Sequence, residues 1–491
     1  MKYFLSRTTI SAFVITTILG LSPMNTVNAQ ENSSGMPHNE SKEKNKEIIK
    51  TEQFDEWKKS LTPSEEDALE GFKYSKINEL IKKVDGNIDF IKGDLYVNVG
   101  NTYKLLGVDG IREVIRNLDT ALMKSKKIEK DIHVFRYLTE ADVDFRIGDL
   151  STSFHQSTIN RDKYKLISQN FKYGFYNDYL DAYLTEEEGL SKSEILLDLK
   201  LPKGTHVGFL NNKDHILLSR NQGILVTNSS IIVINGKEKI KVEAELIDKN
   251  LIKNKIQTKE DRLNDYFRKI IEKGTSIHRE NEIPTETKLI ELVTNSLNAS
   301  FTVNRAETLL HTLTQNIPSD LLLKTLEQMN HRAAITITDS SWENLESELG
   351  QSFSDLIENA LAFYDHKTKE LIVNLSIHDH EINPFKLIRD GHSAFETDVQ
   401  TLIHEFGHAV DDLILNDLSQ TSEFIDLYQE EKGNIKIEHY MTSDQEEFFA
   451  SAFSYIFSPN TQYQMRIKQE APKTVAFIQK ALEEKGLYKK N

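Results

Sequence analysis

The sequence predicts an α+β protein in two unlike halves, and three observations carry that reading. Residues 131–235 hold short β-like runs, "DIHVFRYL", "ILLDLKL", "HVGFL", "HILLS", "GILVT" and "SIIVIN", which read as a sheet with one helical insert. After about Asn264 the periodicity turns mainly helical, with one strand pair around "AITITD" and "ELIVNLSI". Between the two lies a charged, lysine-rich passage, "LIDKNLIKNKIQTKEDR", expected to join the domains. The expected division is a mixed α/β domain at 51–245, a linker at 246–264, and a mainly helical domain with a small sheet at 265–491.

The first 29 residues read as a signal peptide. Lys2 and Arg7 give a basic start, an apolar run from Ile10 to Leu21 is short for a membrane span, and Val27 and Ala29 suit a cleavage site. Secretion to the extracellular space follows as an expectation, with no membrane span in the mature chain. Residues 30–50, "QENSSGMPHNESKEKNKEIIK", offer almost nothing to bury and are expected as a disordered leader. Structure is expected from about Phe54, with a helical period through Trp57, Leu61, Ala68 and Leu69.

Composition excludes one function class and one means of stabilisation. A formal charge of -16 over 491 residues is the wrong sign for a surface that neutralises phosphates, so no nucleic acid partner is expected. With no cysteine in the chain, no disulfide framework supports it outside the cell. Hydrophobic cores must do so, and the length suits two or three of them.

The chemistry concentrates in "TLIHEFGHAVDDLI", Thr401 to Ile414. Ser393 and Glu396 make a capping box, and Ile403, Phe406, Val410 and Leu413 form an apolar stripe, so a helix is expected over 394–415. His404 and His408 then lie one turn apart on another face and can share one ion. Glu405 follows His404 and reaches the same neighbourhood. Two neutral imidazoles for one Zn²⁺ per chain, with a carboxylate to take a proton from the attacking water, is the chemistry of H-E-x-x-H. Gly407 leaves room for an element packed close to the metal. Asp411 and Asp412 continue this face: one of them orients a ligand imidazole, or both simply face solvent. His378 and His380 in "IHDH" read as a polar loop.

Zinc catalysis needs a third protein ligand. In "HYMTSDQEEFFASAF", His439 to Phe453, Ser443 and Glu446 read as a second capping box, so a helix begins near Asp444. Glu446 is then expected at the cap and Glu447 at the metal. Phe449, Phe453 and Ile456 anchor that helix in the core.

From about Asn264 onward the chain resembles the lethal factor family of metalloproteases, which includes the secreted proline-proline endopeptidases. The residues concerned are "HEFGHAVDD" (404–412), Tyr440, "EEFFASAF" (446–453) and "APKT" (471–474). The resemblance implies zinc held by His404, His408 and Glu447, with Glu405 as general base. It also implies that Tyr440, seven residues before the third ligand, contacts the water or the tetrahedral intermediate, where a phenol stabilises a developing oxyanion.

Residues 50–245 resemble the ADP-ribosyltransferase domains of binary bacterial toxins. The leading helix "WKKSLTPSEEDALEGFKYSKINELI" carries their pattern, Arg136 in "HVFRYL" matches an NAD-binding arginine, and Ser151, Thr152 and Ser153 match the "STS" that braces the nicotinamide pocket. The catalytic glutamate of that family is missing. Lys213, Asp214 and His215 stand where an E-x-E or Q-x-E pair belongs, and a histidine supplies no fixed negative charge. Glu243 and Glu245 in "VEAELI" alternate like the solvent face of a strand. The expectation is a vestigial NAD site without transfer.

The function these readings imply is a secreted zinc metalloendopeptidase, a toxin or virulence factor acting on a protein or peptide, with Glu405 as general base. The alternatives are a non-catalytic binding protein or pseudoenzyme, and an ADP-ribosyltransferase. The resemblance leaves room for a host target or a delivery partner and names neither.

Overall fold

The computed structural model describes residues 51–489 except 74–75, 100–101, 144–149, 153–157, 187–192, 211–213, 275–287, 330–331, 351–359, 376–393 and 438–439. The stretches expected as signal peptide and leader lie outside the described residues, as do Ser393, His378 and His380.

The N-terminal half begins with three short helices, α1 (Thr51–Ser60), α2 (Pro63–Lys73) and α3 (Ile77–Lys83), where the sequence suggested one continuous period. Between α1 and α2, the Thr62 N–H donates to Glu65 Oε2 at 2.7 Å and the Glu65 N–H to Thr62 Oγ1 at 3.3 Å, a reciprocal cap that starts a new helix. A two-stranded ribbon, β1 (Leu95–Val99) and β2 (Thr102–Leu106), leads to α4 (Val108–Met123). Then come β3 (Ile132–Leu138), α5 (Arg161–Asn170), β4 (Tyr173–Tyr176), β5 (Leu180–Tyr183) and β6 (Ile195–Leu201). The half closes with β7 (Gly208–Phe209), β8 (His215–Leu218), β9 (Gln222–Ile234) and β10 (Lys237–Ile247). These make a mixed sheet of order β4-β9-β10-β6-β3-β5-β8-β7. Its alternating strands bury Ile132, Val134 and Leu138 on β3 and Ile240, Val242 and Ala244 on β10 against α4 and its neighbours.

The passage expected as a linker is structured. From Lys249 to Gly274 it forms α6, a 26-residue helix. Its lysines hide an apolar stripe, Ile252, Ile256, Leu263, Phe267 and Ile271, which joins the C-terminal core. The helical period wins because that stripe has a core to bury in; the charges simply face away from it.

The C-terminal half continues with β11 (Ile290–Val293), α7 (Ala299–Asn316), α8 (Ser319–Gln328), β12 (Ile335–Thr338) and α9 (Trp342–Leu349). The hairpin of β13 (Ala362–Asp365) and β14 (Glu370–Asn374) follows. The sheet order is β11-β12-β14-β13, parallel except for β13, which lies antiparallel at an edge. Next come α10 (Ala394–Leu413), α11 (Ser422–Glu431), α12 (Gln445–Ile456), α13 (Thr461–Glu470) and α14 (Pro472–Glu484). The fold is α+β, a mixed sheet domain followed by a mainly helical one with a small sheet.

The two halves touch through backbone. The Phe175 N–H donates to Ser296 O at 2.9 Å, and Ser300 Oγ accepts from the N–H groups of Lys172 and Tyr173 at 2.8 and 3.2 Å. Gly174 is required there, because a Cβ would lie 1.8 Å from the carbonyl oxygen of Leu297. Phe175 itself is buried in the C-terminal core.

Candidate metal centre

The centre lies where α10 crosses α12. On α10, Leu402, Ile403, Phe406, Ala409 and Val410 are buried, and on α12 Phe448, Phe449, Ala452 and Phe453 are buried against them. Each of these phenylalanines contributes roughly 1.5–3 kcal/mol by leaving water, so core packing sets the crossing and the polar residues follow from it. Gly407 makes the crossing close. A Cβ there would lie 3.2 Å from Ala450 Cα, Ala450 O and Phe453 Cδ1.

This brings His404, His408 and Glu447 together. His404 Nε2 is 3.2 Å from His408 Nε2 and 3.0 Å from Glu447 Oε2, and His408 Nε2 is 3.7 Å from the same oxygen. Ligands about 2.0–2.1 Å from a tetrahedral zinc stand roughly 3.3 Å apart, and the three edges surround that value. Two imidazole nitrogens and a carboxylate oxygen also form the donor set of a zinc site with an open position. The residues fit the ion. Among the described residues this is the one such group of histidines and acids.

The electrostatics agree. Burial alone would raise the Glu447 carboxyl, but hydrogen bonds and charge from His404 and His408 hold it well below the usual carboxylate range. Burial would lower His408, and the carboxylates of Glu447, Glu405 and Asp411 raise it instead. The imidazoles and the carboxylate are thus electrostatic partners of one another.

Glu405 stands beside the triangle, with Oε2 accepting the Tyr364 backbone N–H at 3.0 Å. Tyr440 is 58% exposed with its ring centre 6.2 Å from that of His404. Burial of its hydroxyl first, and then the Glu447 carboxylate, raise its pKa above that of a free phenol. It stays a donor at neutral pH.

Several local expectations need correction. The cap of α12 is Asp444, whose Oδ1 accepts the Glu447 N–H at 2.9 Å, so the Ser443–Glu446 capping box does not form. The Ser443 hydroxyl turns back to Tyr440 O, and Glu446 accepts from the Gln420 side chain. The helix starts one residue later than the capping box requires: Asp444 is the extended residue before its first turn, so its carboxylate meets the Glu447 N–H three residues on. Neither Asp411 nor Asp412 is bonded to a ligand imidazole. Asp411 Oδ1 accepts the Ser419 N–H at 3.1 Å, while Asp412 accepts from the Tyr364 hydroxyl and Lys369. The group at the far nitrogen of His404 is Ser451, with Oγ 3.3 Å from Nδ1. Ser451 lies one turn after Glu447, so helical spacing could have found it. The Tyr364 contact uses backbone, which no motif announces.

In the N-terminal half Arg136 has partners within the chain. Its guanidinium donates to Asp181 O at 3.0 Å and to the Asp181 carboxylate, over the Tyr176 ring. His215 stacks on Tyr183 with ring centres 4.5 Å apart and brings Nε2 within 3.4 Å of the same carboxylate. Although burial would raise Asp181, His215 and Arg136 pull it down to about 2. Arg136 and His215 thus share one internal carboxylate, that of Asp181. Ser151 donates to Glu194 at 3.3 Å and Thr152 pairs with Thr158 at 2.6 Å; Ser153 and Lys213 lie outside the described residues. Glu243 and Glu245 bond Asn228 and Lys200 on the outer face of β10.

Comparison with known proteins matches both halves. Residues 276–481 match the family model for anthrax toxin lethal factor, N- and C-terminal domain, and residues 49–249 match that for ADP-ribosyltransferase exoenzymes. Lethal factor of Bacillus anthracis is 26% identical over 416 residues, 82% of this chain and 47% of that protein. Pro-Pro endopeptidase of Clostridioides difficile is 32% identical over 89 residues, 18% of this chain and 38% of that one. The chain thus spans less than half the length of either curated relative. Among solved structures, Plx2a, an ADP-ribosyltransferase toxin from Paenibacillus larvae, is 22% identical, covering 42% of this chain and 97% of that one with a TM-score of 0.34. No described helix is long and apolar enough to cross a membrane.

Proposed function

We propose, for a chain that pairs a lethal factor-type domain with an ADP-ribosyltransferase exoenzyme-type domain, that the activity is zinc-dependent hydrolysis of peptide bonds in a protein substrate. The observation that carries this is the ligand triangle of His404, His408 and Glu447 with Glu405 beside it. One zinc ion there would supply a Lewis acid and make a water at the open position more acidic. The chain's own residues do the rest. Glu405 takes the proton of the attacking water and returns it to the leaving amine. Tyr440, protonated and beside the triangle, donates to the carbonyl oxygen as charge develops on it. Ser451 fixes the tautomer of His404 by accepting from Nδ1.

The proposed division is a signal peptide at 1–29, a leader at 30–50, a non-catalytic transferase-like domain up to 245 and the peptidase after it. Secretion, and a role as a toxin or virulence factor, belong to the same proposal. The Arg136–Asp181 pair supports a first domain without NAD chemistry.

The test is Glu405→Gln. Zinc content should stay at one per chain because all three ligands remain. Cleavage of a random peptide library should fall by about three orders of magnitude or more for want of a base. Near-native turnover in this variant, or no zinc in the wild type, would overturn the proposal.

A further inference from the structure

We propose that Tyr364, Asp412 and Lys369 form a clamp that positions the general base Glu405, holding one carboxylate oxygen so that the other is presented for proton transfer. The inference rests on the peptidase reading above.

The argument begins with strand register. Tyr364 on β13 lies opposite Leu371 on β14, and Leu371 uses its own N–H on Ala334 O across the sheet. The pair is therefore a non-hydrogen-bonded one, and the Tyr364 N–H points off the free edge of the sheet. There it meets Glu405 Oε2 at 3.0 Å. The strand edge has the catalytic helix as its neighbour, and the bond is aimed at the one acid that the chemistry needs.

The same residue grips α10 a second time. Its hydroxyl donates to Asp412 Oδ2 at 2.8 Å. Asp412 follows Glu405 by seven residues, two turns along one face of the helix. Lys369, at φ +57° in the β13–β14 turn, closes on the same oxygen, and His366 Nδ1 lies 3.5 Å from it. Both ends of the hairpin turn are thereby fixed to the helix. A rigid strand pinned at two points holds its N–H in place, whereas a lone N–H on a mobile edge would let the flexible glutamate side chain sample rotamers that face away from the metal. None of these groups belongs to the ligand triangle. They act through Glu405.

The experiment compares wild type with Tyr364→Phe, Asp412→Asn and Lys369→Met, with Lys369→Arg as the conservative variant. Two readouts are taken. The first is amide hydrogen exchange at Tyr364, which needs neither substrate nor activity. The N–H should be protected in wild type and in Lys369→Arg, and should exchange about ten-fold faster in the other three. The second is peptide cleavage: kcat should fall about ten-fold with KM and zinc content unchanged, since only the base is displaced. Lys369 is a surface side chain, so Lys369→Met keeps the test alive should an Asp412 or Tyr364 variant fold poorly. An unprotected Tyr364 amide in wild type, or variants with full kcat, overturns the clamp. A wild type that binds zinc and cleaves no peptide, with the Tyr364 amide still protected, overturns the peptidase reading and leaves the clamp geometry standing.

Discussion

Replacing Gly407 by Ala separates stability from metal binding. The added Cβ would lie 3.2 Å from Ala450 Cα, Ala450 O and Phe453 Cδ1, against an ordinary carbon–carbon separation of about 3.5–4.0 Å. The contacts include backbone of α12, so α12 must move away from α10 by roughly 0.4 Å. Overpacking of this kind costs about 1–3 kcal/mol. Alanine recovers about 1 kcal/mol over glycine in a helix interior. The apoprotein should therefore lose only about 0–2 kcal/mol, and its melting temperature should fall by no more than about 8 °C. The metal site tolerates less, because ligand distances hold to about 0.2 Å. His404 and His408 ride on α10 while Glu447 rides on α12, so the shift opens the triangle along the Glu447 edges. Zinc affinity should drop by about ten-fold or more, as when a supporting group is lost. Competition with a chromophoric chelator gives the affinity, and a thermal melt of the apoprotein gives the stability. Wild-type zinc affinity together with a raised melting temperature would show that the helices do not approach as closely as the geometry requires.

Three further outcomes follow from particular contacts. Glu447→Ala should release zinc in equilibrium dialysis, whereas Glu446→Ala, which loses only a bond from Gln420, should change stability by no more than about 1 kcal/mol and leave zinc in place. At the junction of the halves, Gly174→Ala meets the Leu297 carbonyl and should expose the joint to limited proteolysis near 170–180; an unchanged digest would mean that the contact is dispensable. Asp85 accepts the Ser341 N–H and the Asn344 amide, and burial pushes its carboxyl up to about 7. Because its folded pKa exceeds an unfolded value of about 3.9, its contribution is fullest at acid pH and is lost as pH rises through about 7. Urea melts from pH 5 to 8 should show wild type weakening relative to Asp85→Asn, and parallel curves would refute this.

The sequence by itself determined the elements whose signal is local. The spacing of His404, Glu405 and His408 put three functional groups on one helical turn, and the apolar stripe from Ile403 to Val410 told which face the core would take. The break from strand alternation to helical period marked the two halves. Tertiary structure decided what depends on residues far apart in the chain. Helix α12 is set by how Phe449 and Phe453 pack, and that packing brings Glu447 to His404, 43 residues away, and to His408. The choice of Asp444 over Ser443 as cap was a matter of one residue of helix phase, which periodicity does not resolve. The lysine-rich stretch after Leu246 became a helix because a second core was there to receive Ile252 and Phe267. Arg136 was legible as a phosphate-binding type of residue, whereas its pairing with Asp181 is made by the sheet and not by any local pattern. The hydrogen bond on Glu405 comes from a backbone amide at a strand edge, and since every residue but proline carries that group, register and packing alone place it there.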